Sequence, residues 1–235
     1  MIRAVFFDWF NTLALYHPPR EVLQSQALRE FGINIPQEKI LPALMLADRS
    51  FFEESAISPI SKRSAKEQVD VYIRYEKTLL TEAGIETSYS PDILLKIMKR
   101  AQELYKDIRF TLFDDVLPNV KKLKGQNLTL GLLTNLQSDM TPVCRELGLE
   151  PYLDFIVTSN EAGADKPQPQ IFLIALERAG VKSSEAIHVG DQYKLDAVGA
   201  MGVGIKPVLI DRYDLYPEVN DCPRIHGLSE LSEYL

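Results

Sequence analysis

The sequence predicts an α/β protein: a doubly wound parallel sheet with a helical segment inserted after its first strand. The run at residues 2–7 is rich in apolar, β-branched and aromatic residues, which is typical of a strand buried on both faces of a parallel sheet. From residue 128 onward, short apolar runs alternate with helical patterns. That alternation indicates right-handed parallel crossovers, with helices on both faces of the sheet.

The inserted segment is predicted to contain helices and no strand. Four amphipathic patterns, separated by Gly32, Pro59 and Gly84, predict helices at residues 20–31, 37–50, 64–83 and 91–106. We therefore expect two domains, a core made of residues 1–16 and 108–235 and a helical domain made of residues 17–107.

The second part of the chain supplies the remaining elements of the core. Strands are predicted at residues 128–133, 155–158, 186–189 and 207–210, and helices at 141–147, 168–179, 195–201 and 228–235. In an open α/β sheet the carboxyl ends of the strands form the edge where active sites lie. Polar residues that follow these strands are therefore the first candidates for a functional site.

Composition and charge exclude several classes of partner. The 235 residues include 33 acidic and 26 basic side chains, a net charge of -7, so no basic footprint for nucleic acid or for an anionic membrane surface is present. The two cysteines, Cys144 and Cys222, imply no disulfide framework and favour a reducing compartment. No apolar run has the length of a membrane-spanning helix, and we expect a cytoplasmic protein. Oligomeric state cannot be read from the sequence.

Asp8 directly follows the first predicted strand. An aspartate in this position commonly caps a helix or closes an Asx turn, but it can also act as a nucleophile that contacts a metal ion. Three further polar motifs at strand ends favour the nucleophile. Asn11, in the turn that follows, tolerates the left-handed conformation that a tight turn requires.

Two of those motifs offer groups for binding an anion. Thr134 and Asn135 follow the strand at residues 128–133, and the threonine hydroxyl with a nearby backbone N–H can donate to substrate oxygens. Lys166 precedes the rigid turn Pro167-Gln168-Pro169. A lysine held there, beside Asp8, would keep that carboxylate ionised and offset charge on the substrate.

The last motif supplies carboxylates for a metal ion. Gly190 and Asp191 end the strand at residues 186–189, and Asp196 follows within the next helical turn. Mg²⁺ prefers hard oxygen ligands and is often held by one or two carboxylates, water and substrate. Asp8, Asp191 and a main-chain carbonyl would suffice, with Asp196 orienting the site. His188, in the middle of the strand, is interpreted as a packed core residue.

In this order the four motifs resemble those of the haloacid dehalogenase superfamily, over the whole chain: residues 8–12, Thr134, Lys166, and Asp191 with Asp196. The resemblance implies a Rossmann-like core with a helical cap inserted after the first strand, which is where residues 17–107 stand. It implies an Mg²⁺-dependent phosphatase that acts on a small phosphorylated metabolite through an aspartyl-phosphate.

The resemblance also assigns roles to residues. The catalytic residues would be Asp8, Lys166 and Asp196, the substrate-binding residues Thr134, Asn135 and Lys166, and the metal ligands Asp8, the Phe10 carbonyl and Asp191.

Phe10 departs from the phosphatase pattern, which has a second aspartate there as general acid and base. Loss of a positioned acid costs about 10²–10⁴-fold in rate. Haloacid dehalogenases proper have a tyrosine at this place and need no metal, but they carry a Ser-x-Asn segment where this chain has Gly190 and Asp191. Two alternatives therefore stay open: a carbon–halogen hydrolase that uses Asp8, and a catalytically weak member that binds a phosphorylated ligand.

Overall fold

A parallel sheet organises the larger of two units into which the chain divides. The computed structural model describes residues 1–85 and 89–235. One unit contains Met1–Leu15 and Thr111–Leu235, and the other contains Tyr16–Phe110. The domain range predicted for the helical segment includes residues 86–88, which lie outside the described residues. That this segment serves as a cap stays a prediction.

Within the described residues, the strands are β1 (Ala4–Phe7), β2 (Ala14–His17), β3 (Arg109–Leu112), β4 (Thr129–Thr134), β5 (Phe155–Thr158), β6 (Ala186–Gly190), β7 (Lys206–Ile210) and β8 (Arg224–Ile225). Six of them form the main sheet in the order β5-β4-β1-β6-β7-β8, and all neighbours are parallel. Strands β2 and β3 pair in a separate two-stranded sheet. The predicted α/β fold class is confirmed.

The α-helices of the same described residues are α1 (Arg20–Glu30), α2 (Gln37–Ile57), α3 (Ala65–Glu82), α4 (Pro91–Leu104), α5 (Val116–Gly125), α6 (Thr141–Glu146), α7 (Ser159–Ala162), α8 (Pro169–Ala179) and α9 (Val198–Gly202). None of them combines the length and apolarity that a membrane crossing requires.

One part of the core of the larger unit lies between the sheet and α8. Strand β1 is fully buried at all four positions, and Phe6 packs in one cluster with Ile171 and Phe172 of α8. Pro169 begins this helix at a position where its missing N–H needs no partner. Burial on both faces fixes the central strands, so the loops at their carboxyl ends start from fixed positions.

Several elements differ from the sequence prediction. Strands β2, β3 and β8 and helices α5 and α7 are not predicted, and α2, which contains Pro42 near its start, runs on past the predicted end to Ile57. The helix predicted at 195–201 begins as a π-helical turn, Tyr193–Ala197, and continues as α9. The closing segment Leu228–Tyr234 is a 3₁₀ helix.

The helical unit has its own apolar core and its own caps. Ser64 caps α3 in a reciprocal arrangement with Glu67, which satisfies backbone donors at the start of the helix. Leu44 of α2 and Leu79 of α3 are fully buried. This unit also buries charge: Tyr75 donates to Asp48 Oδ1 at 2.7 Å, and Arg20 donates to the same oxygen at 3.0 Å.

Glu76 is a buried carboxyl of this unit whose hydrogen-bond partner is a neutral amide. It is 1% exposed and accepts a hydrogen bond from Gln24 Nε2 at 2.8 Å. Burial raises the pKa of Glu76 from its ordinary 4.5 to about 8, and the bond from Gln24 opposes this only in part. The folded protein therefore holds this proton over a pH range in which the unfolded chain has lost it.

Stability should consequently fall as the pH rises from 4.5 to about 8. Glu76→Gln removes the titrating group and should stabilise the protein at pH 9 by about 2–4 kcal/mol, with a much smaller effect at pH 4.5. Urea unfolding of both proteins at the two pH values measures this. Glu82→Gln, at an exposed position of the same helix, is the matched control, and an equal effect of Glu76→Gln at both pH values would contradict the assignment.

Candidate active site

The candidate side chains lie at the carboxyl ends of three neighbouring strands, β4, β1 and β6. The parallel register pairs Phe7 of β1 with Val189 of β6 on one side and with Leu132 of β4 on the other. Asp8 comes next, and its N–H donates to the Val189 carbonyl at 2.8 Å. Thr134 and Asp191 lie at the equivalent ends of the flanking strands. The edge predicted from the sequence is thus the edge where these groups meet.

Lys166 joins two of the carboxylates. Its Nζ lies 2.5 Å from Asp8 Oδ1 and 2.6 Å from Asp196 Oδ1, and its side chain is 2% exposed. Charge-assisted hydrogen bonds of this kind are the strong ones in a protein interior. A buried ammonium with two carboxylate partners holds both in fixed positions.

Burial and these ion pairs set the protonation states. Burial raises the pKa of Asp8 to about 6, although the Lys166 ammonium lowers it. Burial acts in the same direction on Asp196, but the Lys166 charge and the His188 hydrogen bond outweigh it and hold the pKa of Asp196 well below its ordinary 3.8. Burial disfavours the charged form of Lys166, yet Asp196 and Asp8 raise its pKa. Asp8 is therefore mainly ionised at neutral pH.

Both carboxylate oxygens of Asp196 have hydrogen-bond partners. Its Oδ1 also lies 3.0 Å from His188 Nε2, and its Oδ2 accepts the Gln192 backbone N–H at 3.0 Å. A Cβ at position 190 would lie 2.2 Å from Asp196 Cγ, so only Gly190 leaves room for the carboxyl group. These contacts are those of a group that orients Lys166. His188 is buried, as predicted. Its bond to Asp196 is not predicted from the sequence.

Asp191 receives two amide donors on one oxygen. Asn11 Nδ2 lies 3.3 Å and Gln192 Nε2 lies 2.8 Å from Asp191 Oδ2. Asn11 has a φ of 57°, which confirms the predicted left-handed turn. Burial, together with the negative charges of Asp8 and Asp196, raises the pKa of Asp191 well above its ordinary value.

The cluster fits a divalent cation. Carboxylate oxygens of Asp8, Asp191 and Asp196 all lie within 4.8 Å of one another, and Lys166 supplies one positive charge beside them. Burial first, and the negative charge of neighbouring carboxylates second, raises the pKa values of Asp8 and Asp191. Asn11 Oδ1 is a buried acceptor with no hydrogen-bond partner among the described residues. Hard oxygen donors around an excess of negative charge are what Mg²⁺ requires.

Thr134 and Asn135 lie beside this cluster with different tasks. Thr134 Oγ1 accepts the Leu136 N–H at 3.2 Å, so its own proton can be donated to a substrate oxygen. The Asn135 side chain accepts the Lys166 N–H at 2.7 Å and donates to the Lys166 carbonyl at 3.2 Å. The Asn135 amide therefore positions the lysine. Its predicted contact with substrate stays a prediction.

Phe10 lies two residues beyond Asp8, in the loop that links β1 to β2. The loop is closed by backbone bonds, in which Asn11 donates to the Ala14 carbonyl at 2.8 Å and Ala14 donates to the Trp9 carbonyl at 3.0 Å. The phenyl group carries no exchangeable proton. Its carbonyl as a metal ligand stays a prediction.

Gln192 and Tyr216 are the residues of the site that the sequence interpretation missed. Gln192 directly follows Asp191, and this adjacency is a signal that could have singled it out. Tyr216 donates its hydroxyl proton to Gln192 Oε1 at 3.1 Å. No local pattern marks it, because the pairing joins residues 24 positions apart.

One family profile and several known proteins are similar to this chain over most of its length. The family profile described as haloacid dehalogenase-like hydrolase matches residues 2–204. Haloacid dehalogenase-like hydrolase domain-containing protein 3 of Danio rerio is 34% identical over 236 residues, which cover 99% of this chain and 94% of that protein. The ribulose-1,5-bisphosphate 5-phosphatase of Halopiger xanaduensis is 28% identical, over 90% of this chain and 85% of that protein. The solved structure of a 2-haloacid dehalogenase from Pseudomonas syringae pv. Tomato DC3000 is 26% identical and aligns over 99% of this chain and 97% of that one, with a TM-score of 0.55.

Proposed function

The chain belongs to the haloacid dehalogenase-like hydrolases, and from that premise we propose that it is an Mg²⁺-dependent phosphatase acting on a small phosphorylated metabolite, with Asp8 as the nucleophile. The observation that carries the proposal is the carboxylate cluster of Asp8, Asp191 and Asp196 around one buried lysine. A cluster with excess negative charge binds a cation, and a cation with an ammonium then attracts a phosphate. A relative named as a phosphatase of a sugar bisphosphate supports the same substrate class.

In the proposed reaction a carboxylate oxygen of Asp8 forms a bond to phosphorus while the bond from phosphorus to the leaving oxygen breaks. Lys166 holds Asp8 through Oδ1, and Thr134 donates its hydroxyl proton to an oxygen of the transferring group. A bound Mg²⁺ would neutralise the charge that develops on the phosphoryl oxygens. Water then attacks phosphorus and the bond between phosphorus and the Asp8 oxygen breaks, which releases phosphate and restores the Asp8 carboxylate. The proton lost by the water passes to solvent or to the departed alkoxide, since Phe10 cannot accept it.

Asp191, Asp8 and the Phe10 carbonyl would together hold the cation. Asp196 uses both of its oxygens on Lys166, His188 and the Gln192 backbone. It therefore acts on the reaction by positioning the lysine.

A second candidate is a carbon–halogen hydrolase with the same nucleophile. Phe10, which cannot donate a proton, and the alignment with a 2-haloacid dehalogenase favour it. The excess of carboxylate charge beside Asp8 opposes it, since that charge needs a cation which the halide reaction does not.

A substrate panel separates the two reactions. Wild-type protein is incubated with small phosphate esters and with 2-haloacids, once with Mg²⁺ and once with EDTA, and the released phosphate and halide are measured. We expect phosphate release that EDTA reduces at least about 10²-fold, since the metal supplies several kcal/mol of transition-state stabilisation. Halide release that survives EDTA, without phosphate release, would contradict the proposal and support the second candidate.

A further inference from the structure

The geometry points to Gln192 and Tyr216 as positioning residues for the cation site: we propose that Tyr216 fixes the Gln192 amide, and that this amide turns the Asp191 carboxylate so that Oδ1 faces the cation. The inference rests on the proposed function, because it concerns the same Mg²⁺ site.

The Gln192 side chain is enclosed between its two partners. It is 6% exposed, its Nε2 lies 2.8 Å from Asp191 Oδ2, and its Oε1 accepts the Tyr216 hydroxyl at 3.1 Å. An ionised carboxylate only accepts hydrogen bonds, so the nitrogen of the amide must face Asp191 and the oxygen must face Tyr216. The carboxylate thereby determines which end of the amide faces it, and the tyrosine hydroxyl holds the other end in place.

Tyr216 is itself firmly anchored. The residue is 1% exposed, and its backbone N–H donates to Asp211 Oδ2 at 2.9 Å. The same carboxylate accepts the Leu215 N–H at 2.7 Å and pairs with Arg224 of β8 at 3.0 Å. The loop after β7 is therefore tied to the sheet by a buried carboxylate, and the tyrosine hydroxyl has little freedom to move.

This chain of contacts has a consequence for Asp191. Among the described residues, both of its side-chain hydrogen-bond donors, Asn11 and Gln192, lie on Oδ2. Oδ1 is left for a cation. The Gln192 contact is the shorter of the two, at 2.8 Å against 3.3 Å, so its loss should let the carboxylate rotate. Groups that hydrogen-bond to a metal ligand without contacting the metal typically contribute about 10–100-fold to metal affinity.

Titration calorimetry with Mg²⁺ alone, on the full chain, tests the inference. Gln192→Met keeps the length of the side chain and removes the amide, and we expect it to weaken Mg²⁺ binding by about 10–100-fold. Tyr216→Phe removes the hydroxyl that contacts Gln192, and because Gln192 itself remains it should weaken binding less, by about 3–10-fold, below the 10–100-fold range. Asp191→Asn serves as the reference for loss of a ligand.

Tyr193→Phe is the matched control. Its hydroxyl donates to Asp221 at 2.6 Å, and its ring lies 6.3 Å from that of Tyr216, so it reports any general effect of removing a tyrosine hydroxyl from this region. We expect wild-type affinity in this variant. Thermal unfolding without Mg²⁺ checks that each variant is folded, and Tyr216→Phe keeps the test open if Gln192→Met does not fold.

The outcomes are distinct. If wild-type protein and Asp191→Asn differ in Mg²⁺ affinity but Gln192→Met and Tyr216→Phe match the wild type, the inference is overturned and the proposed function stands. Equal weakening in Tyr193→Phe and Tyr216→Phe also overturns it. Absence of Mg²⁺ binding to the wild-type protein overturns the proposed metal site and the inference together.

Discussion

Asp8→Asn should abolish phosphoester hydrolysis, with a loss of about 10⁴–10⁶-fold in kcat, the range found when a nucleophile is removed. An amide oxygen is a poor nucleophile, and no other described carboxylate of the cluster can replace Asp8 without leaving Lys166 or the proposed cation. The fold should persist, since Lys166 keeps its bond to Asp196 at 2.6 Å. Phosphate release by the purified variant, on the best substrate found for the wild type, measures the effect.

The control for this variant is Asp154→Asn. Asp154 is likewise paired with a lysine, Lys124, at 2.6 Å, but it precedes β5 at the opposite edge of the core sheet from the site. It should retain wild-type activity. If Asp8→Asn keeps most of the activity, the nucleophile lies elsewhere.

Phe10→Asp should raise the turnover of alkyl phosphates selectively. Without an acid at position 10, an alkoxide must leave unprotonated or take its proton from water, which is slow. Aryl and acyl leaving groups depart without help. The wild-type protein should therefore strongly prefer aryl or acyl phosphates, and the new carboxyl group should raise alkyl phosphate turnover by up to about 10²–10⁴-fold, the usual contribution of general acid–base catalysis.

The measurement is kcat/KM for p-nitrophenyl phosphate and for a matched alkyl phosphate. Phe10→Asn is the control, because it has the size of the aspartate but no acidic proton, and it should leave the preference unchanged. Wild-type protein that hydrolyses both substrates equally, with chemistry rate-limiting, would mean that another residue donates the proton. An equal gain in Phe10→Asn would mean that the smaller side chain, and not proton transfer, causes the increase in turnover.

The sequence predicts the central sheet well because burial on both faces leaves a strong local signal. Strands β1, β4, β5, β6 and β7 are apolar runs that end in polar motifs, and parallel pairing then brings Asp8, Thr134 and Asp191 to one edge. Strands β2 and β3 are four residues long and only half-buried, and β8 has two residues. None of these segments is a continuous apolar run, which is the signal that marks the equally short β1 and β5.

The contacts within the site were predictable only in part. Lys166 was expected beside Asp8, and it lies there. Lys166 also binds Asp196, and His188 bonds to the same carboxylate. Both contacts depend on a π-helical turn at Tyr193–Ala197, which no sequence pattern predicts. Tyr216 reaches the site through a loop that a buried carboxylate closes. Such long-range pairings between single polar side chains leave no period in the sequence.

The most direct test of the account asks whether Asp8 carries a phosphoryl group during turnover. Wild-type protein, Mg²⁺ and the best phosphate ester are mixed and quenched with acid within one turnover, and the peptides are analysed by mass spectrometry. The account predicts one added phosphoryl group on the peptide that contains Asp8, and none in Asp8→Asn. Rapid phosphate release with that peptide unmodified throughout, or the phosphoryl group on another residue, would contradict it.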